Sequence, residues 1–169
     1  HHSASPASLI GGGRTPRPGE ISLACHGILF LDEMAEYQKT ILEALRQPLE
    51  DKFVTITRVE AAYTFPAKFQ LIGSLNPCPC GFLGDPLREC TCTPHQIHKY
   101  LGKISGPLLD RIDIRMDVPR VDYKDLSSNT PAESSAEIRQ RVENARQIQG
   151  ARLSGTGIVC NAHMERKQI

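Results

Sequence analysis

The sequence has little net charge, few aromatic side chains and no long apolar run. Its 20 Lys and Arg residues nearly balance 19 Asp and Glu, so net charge does not support a strongly basic nucleic-acid-binding protein. No apolar stretch approaches the roughly 20 residues that a membrane-spanning helix needs. The first residues, HHSASPASLIGGG, lack the charged-then-apolar layout of a secretory signal. These absences, with an apolar fraction of 40%, favour a soluble cytoplasmic globular protein without a membrane partner.

Apolar periodicity predicts an α/β fold. A uniformly apolar, buried strand is expected at Ile28–Leu31, another buried strand at residues 69–75 and a further strand at residues 112–118. Helices are expected at residues 38–47, closed by Pro48, from Pro94 onward and at residues 133–153. Residues 53–58 and 62–65 alternate apolar and polar side chains, which predicts a β-hairpin. Buried strands that alternate with helices indicate a mostly parallel sheet.

The motif GILFLDE ends the first predicted strand with two carboxylates, Asp32 and Glu33. In parallel α/β sheets ligands collect at the carboxyl ends of strands. Asp32 could there hold the magnesium of a bound nucleotide, and Glu33 could deprotonate an attacking water. The alternative is a strand that ends in two solvated acids, because four apolar residues followed by Asp-Glu recur by chance.

Four of the six cysteines, Cys78, Cys80, Cys90 and Cys92, form two C-x-C pairs around a Gly- and Pro-rich loop. Alternate residues of an extended segment point the same way, so each pair can offer two sulfurs together. In a reducing cytosol such a set favours a structural Zn²⁺ site at residues 77–93, closed by four protein ligands. His95 or His98 could replace one ligand. Redox thiols or free buried cysteines are the alternatives.

The expected partner of GILFLDE, a phosphate-binding loop G-x-x-x-x-G-K-[ST], does not occur in the chain. Gly11–Gly13 is its only Gly-rich run, and no Gly-Lys-Ser/Thr follows. Either the nucleotide hypothesis is wrong, or the loop is encoded upstream and the chain is a fragment. We expect the chain alone to bind ATP poorly and to hydrolyse none.

An ordered set of motifs resembles the magnesium-chelatase-like AAA+ ATPases of the bacterial ComM/YifB competence-protein type. The resemblance covers essentially the whole chain and rests on GGGRTPRPGEISLACHGILFLDEM, LEALRQPLED, NPCPCGFLGDP, CTCTPHQIHKY, SGPLLDRID and ESSAEIRQRV. It implies a partial AAA+ core at residues 1–126, and a linker with the start of a helical lid at residues 127–169. It also implies a homo-oligomeric ring, expected to be a hexamer, that binds ATP and Mg²⁺ between subunits.

The resemblance also implies residue roles. Asp32 and Glu33 match the Walker B pair, Asn76 matches sensor 1, and Arg111 matches an arginine finger that would reach the neighbouring subunit's nucleotide. Taken alone, Asn76 would be a turn residue before Pro77 and Arg111 a salt-bridged surface residue.

Two hairpins of the family project toward the central channel of the ring and provide candidate DNA contacts. The candidates are Arg14 and Arg17 in the helix-2 insert, and Lys52 and Arg58 on the hairpin before sensor 1. Cations there could track the phosphate backbone without a basic overall charge, whereas the alternative is charges that are merely solvated.

Three functions remain open from the sequence. The first is an ATP-driven motor that remodels DNA, as the ComM type is associated with branch migration. The second is a chelatase-type motor subunit that acts on a protein partner. The third is a non-enzymatic binding module that zinc stabilises.

Overall fold

The computed structural model describes residues 4–58, 61–121, 127, 132–164 and 166–167. The chain divides into two compact units, His1–Arg120 and Val121–Ile169. None of the helices in these described ranges is both long enough and apolar enough to cross a membrane.

The first unit starts with a short helix and a small antiparallel pair. Helix α1 is Pro6–Ile10, strands β1 and β2 are Gly11–Gly12 and Arg17–Pro18, and helix α2 is Glu20–Leu23. Gly11 has a φ of 104°, and a Cβ built on it would lie 2.3 Å from the carbonyl oxygen of Arg17. Only glycine therefore allows the two strands to approach as they do.

Two strands form a parallel pair. Strand β3 is Ile28–Leu31, as predicted, and it pairs in parallel with β6, Gln70–Gly73. Leu29 and Leu31 are buried, whereas Ile28 and Phe30 are 58% and 57% exposed. The predicted burial of β3 therefore holds for one face only, because the described residues cover only that face of the pair.

The predicted helix at residues 38–47 is two helices. A 3₁₀ turn, Met34–Glu36, is followed by α3, Lys39–Glu43, and by α4, Arg46–Asp51. Pro48 does not close a helix as predicted but lies in the first turn of α4. Its missing N–H has no helical partner there, so proline is tolerated.

The predicted hairpin is confirmed. Strands β4, Phe53–Thr57, and β5, Ala62–Pro66, pair antiparallel from Phe53↔Pro66 to Thr57↔Ala62. Val54 and Ile56 point into the core, and the intervening side chains are exposed.

After the cysteine loop come helix α5, Pro94–Leu101, and helix α6, Gly106–Leu109. The Thr93 and Gln96 side chains cap α5 reciprocally, and Pro94 opens it as predicted. The predicted strand at residues 112–118 does not form: Ile114, Met116 and Val118 are 77%, 78% and 85% exposed. Alternating apolar residues form a strand only where another backbone can pair with them, and no described segment does so here.

The second unit contains the long helix α7, Ser135–Arg152, close to the predicted bounds. Ser134 and Glu137 form its capping box. None of its residues is buried, and its apolar residues Ile138, Val142 and Ile148 are 41%, 47% and 73% exposed. Of the predicted linker and lid at residues 127–169, residues 128–131, 165 and 168–169 lie outside the described residues.

One apolar cluster holds the first unit together. It joins α1, α2, β3, the 3₁₀ turn, α3, β4 and α6 around Ile21, Leu42 and Leu108, all at 0% exposure. Leu29 and Leu31 belong to this cluster, so the strand that ends in the two acids rests on the core. The α/β fold with a parallel sheet and hairpins that the sequence predicts is confirmed.

Candidate functional site

The parallel pairing of β3 with β6 brings two predicted site segments to one edge. Leu31 is in register with Gly73, so Asp32 and Glu33 leave β3 beside Ser74. Both acids are exposed. The strand ends thus place carboxylates at the edge where ligands of parallel sheets bind.

Ser74 contacts four successive residues at the end of β3, and sequence reasoning missed it. Its N–H donates to the carbonyl of Leu31 (3.0 Å), and its carbonyl accepts from the N–H of Met34 (2.7 Å). Its hydroxyl donates to Asp32 Oδ1 (2.5 Å) and accepts from the N–H of Glu33 (3.1 Å). A serine just beyond a predicted strand carries no motif, so only the strand pairing reveals this role.

Glu33 adopts a left-handed backbone conformation, with φ 52° and ψ 49°. This region is uncommon for a residue other than glycine and is found at functional sites. The turn after it packs tightly against β6: a Cβ on Gly73 would lie 2.1 Å from Met34 Sδ. Gly73 therefore allows the turn that carries Glu33 to approach β6 closely.

The surroundings of the strand ends are electronegative. Burial raises the pKa of Tyr37, and the charge of Asp32 raises it further. Burial also raises the pKa of Tyr100 on α5, with Glu36 and Glu33 adding to it, while a hydrogen bond from the Asn76 backbone lowers it. Tyr100 is thus hydrogen-bonded to the backbone of Asn76 near Glu33, and the negative charge of Glu33 and Asp32 favours a cation at this edge.

Mg²⁺ fits the donor atoms at this edge. Asp32 and Glu33 offer carboxylate oxygens, and Asn76 offers an amide oxygen. Oxygen is the ligand atom that Mg²⁺ prefers, and it is usually held by one or two carboxylates together with water and substrate phosphates.

The cysteine loop brings all four predicted ligands together. The sulfurs of Cys78, Cys80, Cys90 and Cys92 lie within 4.8 Å of one another. Cys78 lies 3.4 Å from Cys80 and 3.7 Å from Cys90, and Cys80 lies 3.6 Å from Cys90. Four thiolates about 2.3 Å from a tetrahedral Zn²⁺ would be roughly 3.7 Å apart, so the cluster fits zinc. His95 and His98 are exposed on α5 and are not among the clustered ligands.

Backbone amides tune the sulfurs unequally. A hydrogen bond from the Phe82 amide lowers the pKa of Cys80 to about 5, whereas burial raises the pKa of Cys92 to about 12. Cys78 is at 0% exposure. The unequal pKa values reflect four close thiols that cannot all ionise without a cation among them.

Asp85 organises the stretch between the two cysteine pairs. Its Oδ1 accepts from the amides of Leu87 (2.8 Å) and Arg88 (3.0 Å), and its Oδ2 pairs with Arg120 (3.3 Å). The Arg88 guanidinium also lies 4.0 Å from the centre of the Phe82 ring. These contacts close the loop and tie it to residue 120.

Arg111 lies just after α6. Its guanidinium forms an ion pair with Glu50 at the end of α4, and its NH1 donates to the carbonyl of Pro107 (2.9 Å). Its side chain is 29% exposed. Its described contacts are with these two residues rather than with the acids of β3.

Three of the four basic candidates lie at one end of the two hairpins. Arg58 donates to the carbonyl of Gly13 (3.0 Å), which links the tip of β4–β5 to the turn that carries Arg14 and leads into Arg17 at the start of β2. Lys52 lies at the other end of β4, where its amine donates to the carbonyl of Leu49 and its backbone ends α4. The structure thus separates Lys52 from the other three.

Comparisons with known proteins agree with these features. The family model of magnesium chelatase, subunit ChlI, matches residues 1–126. Competence protein ComM of Haemophilus influenzae is 44% identical over 171 residues, which cover 100% of this chain and 32% of the relative. The uncharacterized protein YifB of Escherichia coli is 46% identical over 151 residues, or 88% of this chain and 29% of the relative.

The similarity extends beyond these two bacteria. An uncharacterized protein of Mycobacterium tuberculosis is 44% identical over 165 residues, with 97% of this chain and 32% of the relative covered. The chain therefore spans about a third of the length of the curated relatives it matches. The chain belongs to the magnesium chelatase ChlI family and is ComM/YifB-like within it.

Proposed function

We propose that this chain is part of an AAA+ motor that hydrolyses ATP and uses the energy to remodel DNA. The observation that carries the proposal is the parallel pairing of β3 with β6, which places Asp32, Glu33 and Ser74 at one strand edge. Family membership supports the same reading, because the matched model is a magnesium chelatase subunit. A cytoplasmic location belongs to the proposal as well.

Asp32 is proposed to hold the magnesium ion of a bound nucleotide, which neutralises charge on the phosphates. Glu33 takes a proton from the attacking water, and Asn76 orients that water beside the γ-phosphate. The exposure of all three side chains supports these roles, since each must reach a ligand outside the strand pair.

Arg111 is proposed to act on the nucleotide of a neighbouring subunit in a homo-oligomeric ring of six subunits. Its ion pair with Glu50 keeps the guanidinium oriented within its own subunit before assembly. The planar guanidinium suits phosphate oxygens, on which charge develops during transfer.

Zn²⁺ is proposed to bind the four clustered sulfurs as a structural ion. Four protein ligands leave no position for substrate, so the site would brace the loop rather than catalyse. The loop starts two residues after Asn76, so the brace acts next to the strand edge. X-ray fluorescence of protein purified without chelators tests this, and absence of zinc would contradict it.

Replacement of Glu33 by glutamine in the full-length protein tests the ATPase proposal. Loss of the proton acceptor should lower ATP hydrolysis by about 10²- to 10⁴-fold while ATP binding persists. Glu20→Gln, which changes an exposed acid on α2, is the matched control. Unchanged hydrolysis in Glu33→Gln would overturn the proposal.

The two hairpin tips are proposed to contact DNA phosphates through Arg14, Arg17 and Arg58. Arg14→Gln should weaken DNA binding and lower the slope of log affinity against log salt by about one. Lys52→Gln is the matched control, because Lys52 lies at the opposite end of β4 and caps α4. Equal losses in the two variants would contradict this placement.

A chelatase-type motor that acts on a protein partner is the second candidate, since the matched family model describes magnesium chelatase subunit ChlI. The two candidates differ in how ATP hydrolysis responds to DNA. Stimulation by DNA that Arg14→Gln abolishes supports the DNA motor, whereas no response to DNA supports the second candidate.

A further inference from the structure

We propose that Ser74 is a positioning residue that sets both acids of β3 for the proposed ATP hydrolysis. The inference rests on that proposed function and adds a residue to it. Ser74 would not touch substrate but would act through Asp32 and Glu33.

The first support for this role is the pair of hydrogen bonds that the Ser74 hydroxyl makes. It donates to Asp32 Oδ1 and accepts from the Glu33 N–H, so one oxygen fixes two adjacent residues. Asp32 Oδ2 makes no hydrogen bond among the described residues, and the Asp32 side chain is exposed, so this oxygen is available to a metal ion. The hydrogen bond to Asp32 Oδ1 restricts rotation of the carboxylate and so helps to orient Oδ2.

The second support for this role is the backbone conformation of Glu33. The left-handed conformation of Glu33 is uncommon and must be held by its neighbours. The Ser74 hydroxyl binds the N–H of Glu33, and the Ser74 carbonyl binds the next N–H, that of Met34. Ser74 therefore holds the turn that carries the exposed Glu33.

The third support for this role is the position of Ser74 between β6 and Asn76. It lies two residues before Asn76, directly after β6, so the same short segment contacts the acids and presents the proposed sensor. A shift of the segment would displace Asn76 and both acids together. Misplacement by about 1 Å can cost a hundredfold in rate.

Ser74→Ala in the full-length protein tests the inference. Loss of a hydrogen bond to a charged group should lower kcat by about 10- to 100-fold with little change in KM for ATP. The Mg²⁺ concentration that gives half-maximal binding of a fluorescent ATP analogue should rise severalfold. Ser74→Thr, which keeps the hydroxyl, should restore both values.

Ser22→Ala is the matched control, since the Ser22 hydroxyl is buried on α2 without a hydrogen-bond partner among the described residues. It should change neither kcat nor the Mg²⁺ dependence. Ser74→Cys, similar in volume but a weak donor, replaces Ser74→Ala if that variant does not fold.

The outcomes distinguish failure of the positioning role of Ser74 from failure of the proposed ATPase function. An active wild type whose Ser74→Ala variant keeps the same kcat and Mg²⁺ dependence would overturn the positioning role alone. A variant that only unfolds more easily, with normal Mg²⁺ dependence when folded, would also overturn it. A wild-type protein that neither binds nor hydrolyses ATP would overturn the proposed function and, with it, this inference.

Discussion

The cysteine cluster and the acidic edge of β3 and β6 are neighbours in the chain but are assembled differently. The four sulfurs come from one loop, between Cys78 and Cys92. The acidic edge joins Asp32 and Glu33 to Ser74, about forty residues further along, through the pairing of two strands.

The cysteine cluster and the acidic edge therefore depend to different degrees on the rest of the protein. A loop that supplies all four ligands can close around an ion by itself, as small metal sites do. The acidic edge offers carboxylates but no phosphate cradle, and its proposed arginine comes from another subunit. We therefore expect the cysteine cluster to keep its property in the isolated chain and the acidic edge to need the full-length ring.

The largest effect is expected from Arg111→Ala in the full-length protein. ATP hydrolysis should fall by about 10³- to 10⁵-fold, because a finger acting in trans stabilises charge on the transferred phosphoryl group. Zinc content should not change. Mixed rings of Arg111→Ala and Glu33→Gln subunits should recover part of the activity, as some interfaces then hold an intact pair.

Arg115→Ala is the control for this variant, since Arg115 donates to the carbonyl of Leu109 nearby. Equal losses in both variants, or no recovery in mixed rings, would show that Arg111 does not act across an interface.

The double variant Cys78→Ser with Cys80→Ser should come next. Zinc measured by mass spectrometry should fall from about one ion per chain to none, because two of four ligands are lost. ATP hydrolysis should fall by up to about 100-fold through displacement of Asn76, although no proposed catalytic group is removed.

Cys25→Ser is the control, since Cys25 lies outside the cluster. A zinc-free double variant with full ATPase activity would refute the coupling of the two regions. Retained zinc would refute the ligand set.

The smallest effect is expected from Asp85→Asn, which weakens the loop but removes no ligand. The Leu87 amide, with Arg120 and Arg88, holds the pKa of Asp85 below its usual range. The folded pKa is thus below the unfolded one, so the carboxylate stabilises the loop above its ordinary pKa and loses that effect as pH falls through the lowered value.

At neutral pH, Asp85→Asn should release zinc to a chelator a few times faster than wild type. In zinc-free chains, the difference in thermal midpoint between wild type and variant should shrink only in acid, as pH falls below the usual range of aspartate. Asp117→Asn, an exposed acid, is the control. Equal release rates would show that Asp85 does not hold the loop.

Much of the fold could be predicted from local pattern. Ile28–Leu31 and the start of α5 at Pro94 agree with the sequence because uniform apolarity and an N-terminal proline are strong local signals. Residues 112–118 have an equally clear alternation yet form no strand. An alternating pattern indicates that a segment can form a strand, but the strand forms only where a neighbouring backbone pairs with it.

The candidate site was predictable to a similar degree. The roles of Asp32, Glu33, Asn76 and Arg111 remain predictions, and the structure adds neighbours for each of them. Ser74 and Glu50 have no local signature, since each matters only through a residue distant in sequence.

The family, the α/β class and the set of four cysteines in one loop could be recognised from the sequence alone, because they depend on residue identity and short spacing. Only the tertiary structure decided that Ser74 holds the acids of β3, that Arg58 joins the two hairpins, and that Lys52 caps a helix instead. The physical reason is that hydrogen bonds join atoms brought close by strand pairing and core packing, and sequence distance does not constrain them.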